Sequence, residues 1–391
     1  MAGSLGSEQS DYRKLMALSK SVLSFALAAA FFGAAPRHAD AAASILIDVA
    51  TGEVLSEENA TQRWYPASLT KLMTAYIAFS AIRDGKLTLD GPVTISANAA
   101  KQPPSRMGYK AGNRLSLDSA LKIMLVKSAN DIAVAVAEAA AGPEYQKGMN
   151  AAAAKLGMTG TNFANANGLH STKNYSTARD LAVLTRALRT EFPQYASYFG
   201  IEAIKYGDTI ERNYNILLGR FAGADGMKTG FVCASGFNLV GTATQNGRTL
   251  AAIVLGEKSQ VARAEKAATL LANGFTMTRT GQTLEALQSP ATEKAVAKDM
   301  RAEVCTEAAA ADRWDGREID GRVTFSTPYI RKMERDPQFQ LVGLLPTKTA
   351  DGWPLVIPVP KTRPERAAAK APLEGAELRP AVDAAPKQKT N

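Results

Sequence analysis

The sequence predicts an α+β fold: an antiparallel sheet flanked by helices, with a large helical insertion. Three observations carry this. Strand-like apolar runs stand at Ser44–Val49 and Glu53–Leu55. Segments with apolar residues three and four apart fill the middle, at 66–78, 116–140 and 176–190. Two more strands, Phe237–Thr244 and Thr249–Leu255, precede a helix at about 260–273.

Each element has a local reason. Thr51-Gly52 turns the first pair of strands into a hairpin. From Pro66, the spacing of Leu69, Leu72, Met73, Tyr76 and Ile77 predicts a helix, and Ala67, Ala75 and Ala78 occupy its other faces. A helix apolar all round is expected to be central and buried. The 116–140 segment reads as two helices split near Ser128, and 176–190 as an amphipathic helix. Asn246-Gly247 between apolar runs signals a hairpin, since both residues tolerate positive φ.

The chain divides into four expected parts. Residues 1–41 read as a signal peptide, 42–280 as the main domain and 281–360 as a small C-terminal region of unknown role. Residues 361–391 form a tail without aromatic residues in which Pro364, Pro372, Pro380 and Pro386 recur, so it is expected to be disordered. In the first part, Arg13, Lys14 and Lys20 precede an apolar run from Val22 to Ala35, and Ala39-Asp40-Ala41 offers a small-x-small cleavage site. The run is too short to span a bilayer comfortably. Cleavage there removes four basic and three acidic residues and leaves a net charge of +8.

Composition excludes several chemistries. At 391 residues, 46% hydrophobic and 21% charged, the chain is an ordinary globular one. Two His and two Cys do not furnish a zinc site with anything to spare, and no cofactor is implied. Catalysis dependent on histidine has almost no material. The basic residues are scattered without interleaved aromatics, which argues against nucleic acid. A basic exported protein suits an anionic envelope, with weak membrane-surface association or a cell-wall polymer as the expected partner. Export permits a disulfide between Cys233 and Cys305, but the sequence does not say whether they meet. Oligomeric state leaves no trace in the sequence.

Three short motifs carry the chemistry. In Pro66-Ala-Ser-Leu-Thr-Lys71, Ser68 and Lys71 share one helix face, with the hydroxyl at the positive end of the helix dipole. A serine needs a base, and a lysine serves if its pKa is depressed. In Val126-Lys-Ser-Ala-Asn-Asp131, Ser128 and Asn130 break an apolar helix pair, a hydroxyl to relay a proton and an amide to hold a carbonyl. In Asp225-Gly-Met-Lys-Thr-Gly-Phe231, Lys228 and Thr229 offer a cation and a hydroxyl to a carboxylate, and Gly230 allows close backbone approach. Each alone reads more readily as a residue near a helix terminus, a polar helix junction or a basic turn. Together, in this order, they form the pattern of penicillin-interacting serine enzymes, with Ala129 in place of an aspartate.

The chain resembles the D-alanyl-D-alanine carboxypeptidases, low-molecular-mass penicillin-binding proteins of the β-lactamase/transpeptidase-like superfamily. Residues 43–275 carry the resemblance, including Asn167-Gly-Leu169, Ser176-Thr-Ala-Arg-Asp180 and Gly236-Phe-Asn-Leu-Val240. Residues 290–391 match neither a family β-domain nor a C-terminal membrane helix. The resemblance implies removal of the terminal D-Ala from peptidoglycan stem pentapeptides, and covalent inhibition by β-lactams. It implies Ser68 as nucleophile, Lys71 as general base, Ser128 and Asn130 as relay and clamp, and Lys228, Thr229 and Gly230 at the carboxylate site. The amides of Ser68 and Phe231 would form the oxyanion hole. Arg263 resembles a family arginine near the substrate carboxylate, and Arg212 is a looser match. Asp180 and His170 lie in family-like stretches without a defined role, and His170 reads as a surface loop residue. Lys228 is expected to keep Lys71 neutral by like-charge repulsion.

Related activities on the same fold are a D,D-endopeptidase and a β-lactamase. The latter is disfavoured by the lack of a clear Glu-x-x-x-Asn motif between Asn130 and Lys228. A different class is an envelope scaffold with incidental penicillin binding.

Overall fold

The structure, a computed structural model, describes residues 43–287, 296–311, 319 and 322–346. The signal-peptide and C-terminal-tail readings lie outside these residues. Strands are β1 (Ala43–Asp48), β2 (Val54–Glu58), β3 (Pro92–Thr94), β4 (Arg114–Ser116), β5 (Ala203–Tyr206), β6 (Thr209–Arg212), β7 (Ala224–Val232), β8 (Gly236–Gln245), β9 (Arg248–Glu257) and β10 (Phe339–Leu341). The helices are α1 (Thr70–Arg83), α2 (Ala97–Ala100), α3 (Leu117–Val126), α4 (Asn130–Ala141), α5 (Tyr145–Lys155), α6 (Ala178–Glu191), α7 (Gln260–Thr276), α8 (Arg301–Val304) and α9 (Glu307–Ala311). Among the described residues no helix is long and apolar enough to cross a membrane.

One five-stranded antiparallel sheet, ordered β2-β1-β9-β8-β7, organises the molecule. Its side chains alternate between two cores. Ile45, Ile47, Val240, Ile253 and Leu255 face the helical insertion, where Leu72, Phe79, Met124 and Leu181 meet them. Leu46, Leu239, Ala252 and Val254 face α7 through Ala264, Ala267 and Leu271. The β8–β9 hairpin turns through Asn246 and Gly247, at φ 50° and 78°, as the Asn-Gly signal predicts. Buried on all sides, α1 is the central helix that its apolar faces predict.

The expected split helix is real: α3 stops at Val126 and α4 starts at Asn130, with Ser128 left-handed at φ 63° between them. Helix α5 and the small β3–β4 and β5–β6 pairings were not evident from the sequence. The described part of 281–346 lies against the sheet domain. Ile319 and Ile330 enter the α7-side core, and Met300 and Val304 enter the other. Strand β10 adds parallel to β5, and Cys233 and Cys305 form a disulfide.

Candidate active site

Ser68 lies on a single 3-10 turn, Ala67–Leu69, that leads into α1. Ala67 is left-handed at φ 48°, an uncommon conformation for a residue with a side chain. Neighbours hold this turn in place. Asn238 on β8 donates to the carbonyls of Tyr65 (2.9 Å) and Pro66 (3.2 Å), and accepts from the Gly256 amide. On one side, a Cβ at Gly168 would stand 1.8 Å from the Ala67 carbonyl oxygen. On the other, a Cβ at Gly230 would stand 2.8 Å from the Pro66 oxygen and 3.1 Å from the Ser68 nitrogen. Only glycine allows both backbones so close. The β7 backbone thus runs directly past the Ser68 amide.

One helical turn on, Lys71 is fully buried. Its amine reaches Ser68 Oγ at 2.9 Å, Asn130 Oδ1 at 2.9 Å and the Asn167 carbonyl at 2.6 Å. Burial brings its pKa down to about 7, while the Asp131 carboxylate pulls the other way. A neutral amine has two N–H donors and one lone pair. The two carbonyl-type oxygens can take the donors, leaving the lone pair for the Ser68 hydroxyl proton. The expected like-charge push from Lys228 is not the cause of this lowering: desolvation is. The amine of Lys228, also buried, instead donates to Ser128 Oγ at 3.0 Å and to the Thr229 carbonyl at 3.1 Å.

Ser68, Ser128, Asn130, Thr229, Gly230, Phe231 and Arg263 line one pocket of about 300 Å³. Lys71 and Lys228 support it from behind. Phe231 stacks on Phe237 with ring centroids 4.1 Å apart. Arg263, near the start of α7, donates to the carbonyls of Gly230 and Asn238, both at 3.2 Å, and so ties α7 to the β7–β8 pair. Arg212 is not brought here. It ends β6, which pairs with β5 rather than joining the main sheet, and it lines a separate cleft with Glu202 and Asn215. His170 is exposed, its ring edge-on to Tyr65 at 4.8 Å. Asp180 is a buried helix-end carboxylate that accepts from Thr161, Gly160 and Arg179, away from the pocket lining.

The sequence pattern of the D-alanyl-D-alanine carboxypeptidases matches residues 30–259, more than half of the chain. The chain belongs to the D-alanyl-D-alanine carboxypeptidase family. It is 37% identical over 249 residues to the D-alanyl-D-alanine carboxypeptidase DacD of Salmonella typhimurium, covering 61% of this chain and 64% of that protein. It is also 37% identical to DacC of Escherichia coli, over 60% of this chain and 61% of that one. The matched part thus spans somewhat less than two thirds of each of these relatives. Penicillin-binding protein 5 of Haemophilus influenzae superposes with a TM-score of 0.58 at 31% identity, over 62% of this chain and 73% of that one. Penicillin-binding protein D2 of Listeria monocytogenes, solved with ampicillin bound, gives 0.54 at 31% identity, over 60% and 97%.

Several residues that shape this carboxypeptidase-family pocket carry no motif of their own. Asn167 supplies its backbone carbonyl to Lys71, a contact with no side-chain signature. Asp131, fully buried, accepts from the amides of Met107 and Gly108. With Asn130, which donates to the Pro103 and Ser105 carbonyls, it pins the loop that brings Pro104 and Ser105 to the pocket wall. Its signal was a carboxylate at the first turn of an otherwise apolar helix, a costly placement without backbone donors.

Proposed function

We propose that this chain is a serine-type D-alanyl-D-alanine carboxypeptidase of the bacterial cell envelope, acting on peptidoglycan stem pentapeptides. The observation that carries the reading is the buried Lys71 amine, held 2.9 Å from Ser68 Oγ with a pKa of about 7. The stem peptide lies along β7, adding a strand through backbone hydrogen bonds. Its terminal carboxylate meets Lys228, Thr229 and Arg263 at the end of the pocket. Lys71 takes the Ser68 proton as Ser68 Oγ attacks the penultimate D-Ala carbonyl. The amides of Ser68 and Phe231 receive the developing oxyanion, each contributing about 3 kcal/mol. Asn130 holds the peptide beside Lys71. The C–N bond breaks as a proton reaches the leaving D-Ala nitrogen by way of Ser128, which Lys228 orients. Water, deprotonated by Lys71, then hydrolyses the ester and restores Ser68.

A β-lactam fits the same scheme. Its carboxylate and strained amide imitate the peptide end, and acylation leaves no departing amine to make room for water. The export signal at residues 1–41 supports an envelope location.

The test is incubation of the purified protein with a defined pentapeptide muropeptide, followed by mass spectrometry. Loss of one alanine is expected. Cleaved cross-linked dimers with intact pentapeptide would replace this reading with an endopeptidase, and an unchanged substrate would reject both.

A further inference from the structure

A second concavity, of about 910 Å³, lies at the far end of the sheet, where the 328–335 segment meets the C-terminal end of α7. Gln245 borders it, seven residues along β8 from Asn238, the residue paired with Gly230. At about 3.3 Å per residue this places the groove ~23 Å from the pocket of Ser68. Arg220, Arg331, Lys332 and Arg335 line it against the single carboxylate of Glu334. Three aromatic rings share the wall: Tyr329, 40% exposed, the half-buried Phe275 and the buried Phe221.

The groove is held open by anchors on either side of its cations. Ile330 is buried in the α7-side core. The Arg331 amide donates to the Arg220 carbonyl at 3.0 Å, and Met333 packs over Gly219. Arg335 forks onto both oxygens of Glu202, at 2.8 and 2.6 Å, and the Gln338 amide donates to the same carboxylate. Between these fixed points Arg331 and Lys332 are exposed. Little ordering is therefore needed when an anion arrives.

We propose that this groove is an exosite for the peptidoglycan polymer itself, an acidic glycan chain. Sugar rings lie against Tyr329 and Phe275, and stem-peptide carboxylates meet Arg331, Lys332 and Arg220. The concavity suits a single chain rather than a flat lipid surface, and its positive lining is complementary to the polymer's carboxylates. The identity of the polymer rests on the carboxypeptidase reading; the groove does not. Anchored there, the enzyme works on stem peptides at the other end of its sheet without releasing the wall. Only the polymer spans groove and pocket at once, so the groove raises affinity for the polymer and leaves turnover of a free peptide unchanged.

The experiment compares the full-length protein with its Arg331→Glu/Lys332→Glu double variant, whose side chains are exposed and outside the catalytic pocket. Each is sedimented with insoluble peptidoglycan, and each is assayed for D-Ala release from a soluble pentapeptide. The parent protein is expected to co-sediment at low salt and to be released as salt screens the cations. The double variant is expected to lose binding by roughly fivefold or more while keeping its rate on the soluble peptide. Tyr329→Ala is expected to weaken binding at every salt concentration. Equal sedimentation of parent and double variant would overturn the exosite. So would parent binding to anionic lipid vesicles in place of peptidoglycan, or no parent binding to either. The soluble-peptide rate reports separately on the active-site reading, so failure of one is distinguishable from failure of the other.

Discussion

The two ends of the central sheet carry positive charge in opposite ways. At one end Lys71 and Lys228 are buried, and their amines make short bonds to the oxygens of Ser68, Asn130 and Asn167 and of Ser128 and Thr229. At the other, Arg331 and Lys332 are exposed on a segment pinned at its flanks. Burial changes what a cation is. At Lys71, desolvation disfavours the charged form and turns an ammonium into a base near neutral pH. In solvent, the charge persists and acts by attraction alone, weakened by salt. The same residue type thus supplies chemistry at one end and affinity at the other.

The largest effect that tests this contrast is at the enclosed end. Ser68→Ala is expected to lower D-Ala release by about 10³-fold or more and to abolish covalent labelling by a β-lactam. Its thermal unfolding should stay close to that of the parent, because the exchange removes one oxygen from a pocket wall. Retained labelling would move the nucleophile elsewhere and dissolve the contrast.

The enclosed end was the legible one. Ser68, Lys71, Ser128, Asn130 and Lys228 announce themselves because polar residues interrupt apolar helices and strands at fixed spacings, and burial makes such interruptions expensive unless used. The hairpin at Asn246-Gly247 was readable for a similar reason, a backbone requirement that few residue types meet. The Asn167 carbonyl was not readable, since any residue brings one. Arg212 shows the converse failure. It precedes the Lys-Thr-Gly segment in sequence, but β5 and β6 form their own small sheet and carry it to another cleft. The basic groove was invisible because it joins residues 220 and 331, more than a hundred positions apart in the sequence.

A smaller effect concerns how the C-terminal segment is fastened. The disulfide joins Cys233, at the end of β7, to Cys305, 72 positions on. Around it, the Met300 amide donates to the Ala234 carbonyl at 3.1 Å, and Ala297 packs with Tyr65. Closing a loop of that length restricts the unfolded chain by about 4 kcal/mol. Cys233→Ser/Cys305→Ser is accordingly expected to lower unfolding stability by up to that amount, read in a denaturant titration. Its rate on a soluble peptide should change only a few-fold, because among the described residues none beyond Arg263 lines the catalytic pocket. A collapse in rate at unchanged stability would mean that the segment takes part in the pocket.

The central claim is that Lys71 works as a neutral base made so by burial. Its direct measure is the pH dependence of Ser68 acylation by a β-lactam, in the parent and in Asp131→Asn. The account predicts a rate that rises with pH along a single limb centred near 7. Removing the Asp131 charge, which favours the protonated amine, should move that limb to lower pH by roughly one unit. A parent rate that stays flat from about pH 5 to 9, or a limb that moves to higher pH in Asp131→Asn, would contradict it.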